Sequence, residues 1–280
     1  MNNAAPDFNI LMTFLMFILW IVLSCIVLGF LLKSKKSKKL LTTLYLISII
    51  VGGILLGGIP NAVMPIQHLI VVLGGEPAAF ILIPMLLVLI TLLLTTLLIG
   101  RVFCGYACPV GALQELSSRA LYKSKPRKDD SLIYKINPPN KVSMIIRWVM
   151  FVIFFATIII WNFLLLQLIN PFLGFYFLLH STELIILIPL ISLIIIFGLS
   201  FFVYRPWCRF LCPFGALASL TSRYSRLKLK RTEACTECHL CEQVCPTQEA
   251  FRESSKSECY LCNRCVEICP QEAIKFKTKN

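Results

Sequence analysis

Toward its C-terminus the chain reads Cys235-x2-Cys238-x2-Cys241-x3-Cys245-Pro246 and then, once more, Cys259-x2-Cys262-x2-Cys265-x3-Cys269-Pro270. An iron-sulfur cubane needs four thiolates converging from several directions. Short C-x2-C turns supply three from one loop, and the fourth cysteine of each run serves the other cluster. The expected ligand sets are therefore Cys235, Cys238, Cys241 and Cys269 for one [4Fe-4S] cluster, and Cys259, Cys262, Cys265 and Cys245 for a second. Each proline after a fourth cysteine ends its loop and turns the chain away. Structural zinc sites also use C-x2-C pairs, but zinc does not need this doubled pattern. The chemistry implied is one-electron transfer.

Four further cysteines form two Cys-x3-Cys-Pro motifs, Cys104 and Cys108 before Pro109, and Cys208 and Cys212 before Pro213. They lie inside a repeat: RVFCGYACPVGALQELSSR at 101–119 aligns with RPWCRFLCPFGALASLTSR at 205–223, offset by 104 residues and identical at ten of nineteen positions. That exceeds what two apolar segments share by chance and reads as a duplication. A proline directly after the second cysteine suits the first position of a helix. Cys108 and Cys212 are thus expected at helix N-termini, where free amide donors and the helix dipole favour thiolate over thiol. Arg101 and Arg205 add positive charge nearby. If the copies meet about a pseudo-twofold axis, the four thiolates fit three readings: a third iron-sulfur cluster, a pair of redox-active dithiols, or reduced cysteines packing a duplicated fold. Cys25 stands alone in an apolar run and reads as an ordinary small side chain.

The elements that must carry these cysteines are mostly apolar. Of 280 residues, 58% are hydrophobic and 15% charged, and the mean hydropathy is +0.80, which points to an α-helical polytopic membrane protein. Apolar runs at 8–32, 40–59, 79–99, 144–163 and 184–204 predict about five spans. The net charge of +13 is gathered between these runs, and no Lys or Arg lies in 1–32, 40–100 or 148–204. Such blocks are retained on the cytoplasmic side during insertion, so the N-terminus is expected outside and the tail inside the cytoplasmic membrane. They give no reason to invoke nucleic acid, since nothing resembles a reading helix or a base-stacking sheet. The expected organisation is an N-terminal membrane anchor (1–39), a first repeat unit (40–121), a cytoplasmic linker (122–143), a second repeat unit (144–226) and a separate ferredoxin-like α+β domain (227–280). Each repeat unit holds two spans and returns to the face where it began, so both motifs share the cytoplasmic face.

The tail is similar to bacterial two-cluster ferredoxins. Across residues 40–275, the doubled C-x3-C-P-x-G-A-L followed by two ferredoxin motifs resembles the NapH-type membrane ferredoxin family, whose relatives include the C-terminal membrane part of NosR-type proteins and CcoG-type oxidase-assembly proteins. The resemblance implies a quinol dehydrogenase subunit. It would pass electrons from menaquinol or ubiquinol to a redox partner, such as an iron-sulfur or cytochrome subunit, through Cys104, Cys108, Cys208, Cys212 and the eight tail cysteines. The N-terminal span at 8–32 departs from the family's four-span pattern. Two other readings stand beside it: a CcoG-like assembly or metal-reducing factor, and a docking module that anchors another iron-sulfur enzyme to the membrane.

A quinol site needs an apolar slot with one or two polar groups for the ring oxygens. The candidates on the outer side are Asn61, Gln67, His68 and Glu76 from the first unit, and Gln167, Asn170, His180 and Glu183 from the second. His68 and His180 do not align at the 104-residue offset, which argues against a symmetric haem-ligand pair. No flavin, nucleotide or nucleophile motif is visible.

Overall fold

A computed structural model describes residues 38–58, 61–73, 79–121, 136–161, 165–177 and 187–278, with isolated positions between 18 and 29. Most of the expected span at 8–32 and of the linker at 122–143, as well as Glu76, His180 and Glu183, lie outside the described residues. In chain order the helices are α1 (Lys38–Ile47, continued by π-helical turns over Ser48–Leu55), α2 (Met64–Leu73), α3 (Ala79–Ile99), α4 (Pro109–Leu121), α5 (Asn140–Trp161), α6 (Leu165–Leu168), α7 (Pro171–Phe177), α8 (Leu187–Leu199) and α9 (Pro213–Arg223). The tail adds strand β1 (Leu227–Arg231), short helices α10 (Leu240–Gln243) and α11 (Arg264–Ile268), and strand β2 (Ile274–Thr278).

Helix α5 is long and apolar enough to cross a membrane, whereas the apolar helices Lys39–Leu55, Ile83–Ile99 and Leu187–Leu199 are shorter. The run at 40–59 stops early because Gly57 and Gly58, at φ +62° and +86°, turn the chain out of the helix. A side chain at Gly58 would collide with the Phe172 carbonyl, and one at Gly53 would lie 2.8 Å from the Phe175 ring, so these glycines let α7 close against α1. The run at 184–204 ends its helix at Leu199 and then turns through 200–205. The long helices nonetheless turn apolar rows outward: Ile83, Leu87, Ile90 and Leu94 on α3, and Ile188, Ile191 and Ile195 on α8, are all exposed. Rows of this extent are unfavourable in water and suit a hydrocarbon surrounding.

Between the helices one apolar cluster holds Ile66 and Phe172 together with Cys104, Cys108, Cys208 and Cys212. In the tail, β1 and β2 pair antiparallel with Leu229 opposite Phe276. They bring the beginning and the end of the cysteine-bearing segment together. The tail, expected as a separate domain, packs against the helical part. Tyr106 Oη donates to the Leu261 carbonyl (2.7 Å), and Tyr260 belongs to the same apolar cluster as the four motif cysteines.

Candidate iron-sulfur electron-transfer site

The two cysteine loops of the tail share one backbone design. Glu237 and His239 flank Cys238 with φ of 55° and 56°, and Leu261 and Asn263 flank Cys262 with φ of 54° and 67°. Left-handed geometry at residues other than glycine costs on the order of 1–2 kcal/mol each. Its recurrence at the same places in both loops marks a chain wrapped around something. The turns after the fourth cysteines match as well. Gln248 and Glu272 are left-handed, and the N–H groups of Glu249 and Ala273 each donate to the sulfur four residues back, Cys245 and Cys269, at 3.3 Å.

These loops enclose two cavities. Cys245, Cys259, Cys262 and Cys265 line the larger, of about 400 Å³. Cys235, Cys238, Cys241 and Cys269 line the other. Among the described residues no three Cys, His, Asp or Glu side chains converge closely enough to hold a single metal ion. Thiols gathered around a cavity but too far apart for one ion fit a polynuclear cluster better than zinc. The first set faces the helical part of the protein, and the second reaches solvent, where Cys238 is exposed.

The seat of the first set is a buried ion-pair network. Glu258, directly before Cys259, accepts from Arg101 at 2.9 Å and from Arg147 at 2.6 and 3.1 Å. Burial alone would raise its pKa, but the two guanidiniums outweigh that and hold the carboxyl below its ordinary range. Glu115 of α4 pairs with Arg205 (3.2 Å) and Arg264 (3.1 Å) and accepts from Tyr204 Oη (2.7 Å). Arg264, Arg205 and Arg119 together overcome its burial and bring it down to about 2. Arg119 also donates to the Cys262 carbonyl and pairs with Glu267. The polar loop at 247–258 folds back because Glu249 accepts the N–H groups of Lys256 (2.8 Å) and Glu258 (3.0 Å).

The two Cys-x3-Cys-Pro motifs have equivalent local structures. Each runs through one π-helical turn, Phe103–Ala107 or Trp207–Leu211, to an extended cysteine, then into a helix starting at Pro109 or Pro213. Gly111 N–H donates to Cys108 Sγ and Gly215 N–H to Cys212 Sγ, both at 3.4 Å. Gln114 of the first motif donates from Nε2 to Cys208 Sγ of the second at 3.5 Å and accepts from Trp207 N–H, so the four cysteines occupy one buried region. The thiolate expected at the helix N-termini is not what the protein alone favours. Burial is the main effect and pushes the Cys104 thiol up to about 12, with Arg101 opposing it and outweighed. Cys108, Cys208 and Cys212 are raised for the same first reason. A buried thiol so raised is inert as a free redox nucleophile.

Of the residues proposed for a quinol, Gln67 and Asn170 are buried with amide N–H groups that have no partner. Asn61 caps its own turn through Val63 N–H, His68 Nδ1 lies 3.0 Å from the Met64 carbonyl, and Gln167 is exposed. Arg147, Glu115 and Glu258 were not read as site residues. Nothing local in the sequence marks partners this far apart along the chain.

The geometry defines a ferredoxin-type iron-sulfur protein that transfers electrons. A 4Fe-4S binding domain family matches residues 81–128 and 185–232, each covering one Cys-x3-Cys-Pro motif, and another of the same description matches 254–275. An uncharacterised protein of Methanocaldococcus jannaschii is 32% identical over 67% of this chain and 76% of its own length. The ferredoxin-type protein NapH of Haemophilus influenzae is 26% identical over 64% of this chain and 63% of its own. The regulatory protein NosR of Stutzerimonas stutzeri is 28% identical over 60% of this chain but only 23% of its own. No solved structure matches. The chain belongs to the NapH-type ferredoxin family.

Proposed function

We propose that this protein is a multi-pass subunit of the cytoplasmic membrane that exchanges electrons between the quinone pool and a redox partner on the cytoplasmic side. The observation that carries this reading is the direct seating of the Cys259–Cys262 loop on the Cys-x3-Cys-Pro motifs. Tyr260 Oη lies 3.4 Å from the Cys208 carbonyl, so no gap of solvent separates the tail from the helices. On this reading the eight tail cysteines hold two [4Fe-4S] clusters, which when bound take up and release single electrons. The inner set, Cys245, Cys259, Cys262 and Cys265, faces the membrane part. The outer set, with Cys238 exposed, meets the partner.

The quinone end falls to Gln67 and Asn170, whose unpartnered buried amides are donors for ring oxygens. Oxidation of a quinol releases two electrons and two protons. On this reading the protons leave on the side of these amides, away from the motif cysteines. The test is to add a menaquinol analogue anaerobically to the purified full chain and follow the clusters by electron paramagnetic resonance. Signal from reduced clusters is the expected result, weakened in Gln67→Leu. Clusters that neither accept electrons from quinol nor lose them to quinone refute the quinol role.

A further inference from the structure

The two strands of the tail carry one basic face. Lys228 stands opposite Lys277 and Lys230 opposite Lys275, whereas Leu229, Ile274 and Phe276 on the other face pack against α1 and the cysteine loops. Like charges directly opposite on paired strands repel, and a two-stranded sheet has little stability to spare. Lys230, Lys275 and Lys277 are exposed, and among the described residues no carboxylate pairs with any of the three. The charge also varies along the sheet. At the start of β1, Arg226 N–H donates to the Leu97 carbonyl in the last turn of α3 (3.0 Å), and Lys228 Nζ reaches back to the Arg223 carbonyl at the end of α9 (2.6 Å). Exposed Leu94, Leu97 and Leu98 of α3 are joined here by exposed Leu220 and Tyr224 and by exposed Arg223 and Arg226. Apolar, aromatic and basic side chains gathered at the end of a helix suit the passage from hydrocarbon into a cytoplasmic headgroup layer. The exposed carboxylates Glu233 and Glu272 stand beyond the opposite end of the sheet.

We infer that this lysine face binds the phosphate headgroups of anionic phospholipids. A phosphate between opposed ammonium groups turns their repulsion into attraction, which neither strand supplies. Lysines also guard open strand edges, but that use needs neither opposed pairs nor a place beside the apolar end of α3. The inference rests on the membrane placement proposed above and not on quinol. Cys235 and Cys269 follow at the acidic end of the sheet, so headgroups held at the basic end leave the outer cysteine set free for a partner.

The test places the full chain in nanodiscs of phosphatidylcholine, alone or mixed with phosphatidylglycerol, and follows hydrogen exchange across 226–231 and 274–278. Exchange should be slower in the anionic discs, by about fivefold for each lysine engaged. The slowing should vanish in Lys230→Gln/Lys275→Gln/Lys277→Gln and at high salt, and survive in the triple arginine variant. In neutral discs the glutamine variant should exchange no faster than the wild type, because it removes only repulsion; faster exchange there makes the lysines structural and overturns the inference. Equal exchange of the wild type in both discs overturns it too, leaving an acidic protein surface as the occupant of the face. The same slowing from inorganic phosphate in neutral discs assigns the face to a soluble anion instead of lipid. A chain that enters neither disc overturns the membrane placement, and this inference with it.

Discussion

Substituting Glu258→Gln tests whether the tail is held on the helices by its buried ion pairs. The Glu258 side chain is 7% exposed and receives three hydrogen bonds from two arginines that are fully buried. Removing one partner of a buried pair costs about 3–5 kcal/mol, because the other charge is left uncompensated. Glutamine keeps one acceptor oxygen, which places the loss at the lower end, about 3 kcal/mol, or roughly a hundredfold in the equilibrium for undocking. Hydrogen exchange in detergent should show this as faster exchange across 247–263, while α5 above Arg147 stays protected. Exposed Glu253→Gln serves as the control and should change nothing. Adding Arg147→Gln to Glu258→Gln should cost less than the sum of the two, since it removes one of the stranded charges. If exchange in Glu258→Gln equals that of the wild type, the tail is held by other contacts and the network is incidental.

Three other outcomes follow from the same geometry. Glu115 and Glu258 have folded-state values below the ordinary 4.5, so they stabilise docking fully above that pH. This contribution should fade as pH falls from about 4.5 toward 2, and docking unchanged across that interval in stopped-flow exchange would count against it. Gly105→Ala puts a methyl group 2.5 Å from the Tyr260 backbone carbonyl, and a cost of about 1–3 kcal/mol should lower the thermal midpoint. Gly198→Ala, with open space around it, should not lower it. Because Cys245 lines the cavity of the Cys259 loop and Cys269 that of the Cys235 loop, Cys245→Ser should disturb the inner resonance and Cys269→Ser the outer one. The reverse pattern would refute the crossed arrangement.

The cysteines were legible because their chemistry is local: short spacings, a following proline and a 104-residue repeat are all written along the chain. The backbone that shapes the loops was not. Its left-handed residues are Glu237, His239, Leu261 and Asn263, not glycines, so their residue types do not announce the conformation. Helix lengths were overestimated where hydropathy runs on past a turn, as at Gly57 and Gly58. The seating of the tail was invisible for a further reason. Arg101 and Arg147 find Glu258 across 157 and 111 residues, and as a sequence that glutamate is one more charge in a polar loop.

On the quinol reading proposed above, that long-range network also separates two tasks. A quinol gives up protons and electrons together, and a useful membrane subunit must send them different ways. The apolar cluster that contains Ile66 and Phe172 also contains Phe103, Phe214, Trp207 and the four motif cysteines. Electrons tunnel across such a medium, whereas protons need hydrogen-bonded carriers. Glu115 and Glu258, at the seat of the tail, are both held ionised by arginines, so neither readily takes up a proton near neutral pH. On that reading the ion pairs that dock the tail also keep these two carboxylates from serving as proton carriers. Neutralising an arginine there should alter proton leakage as well as docking.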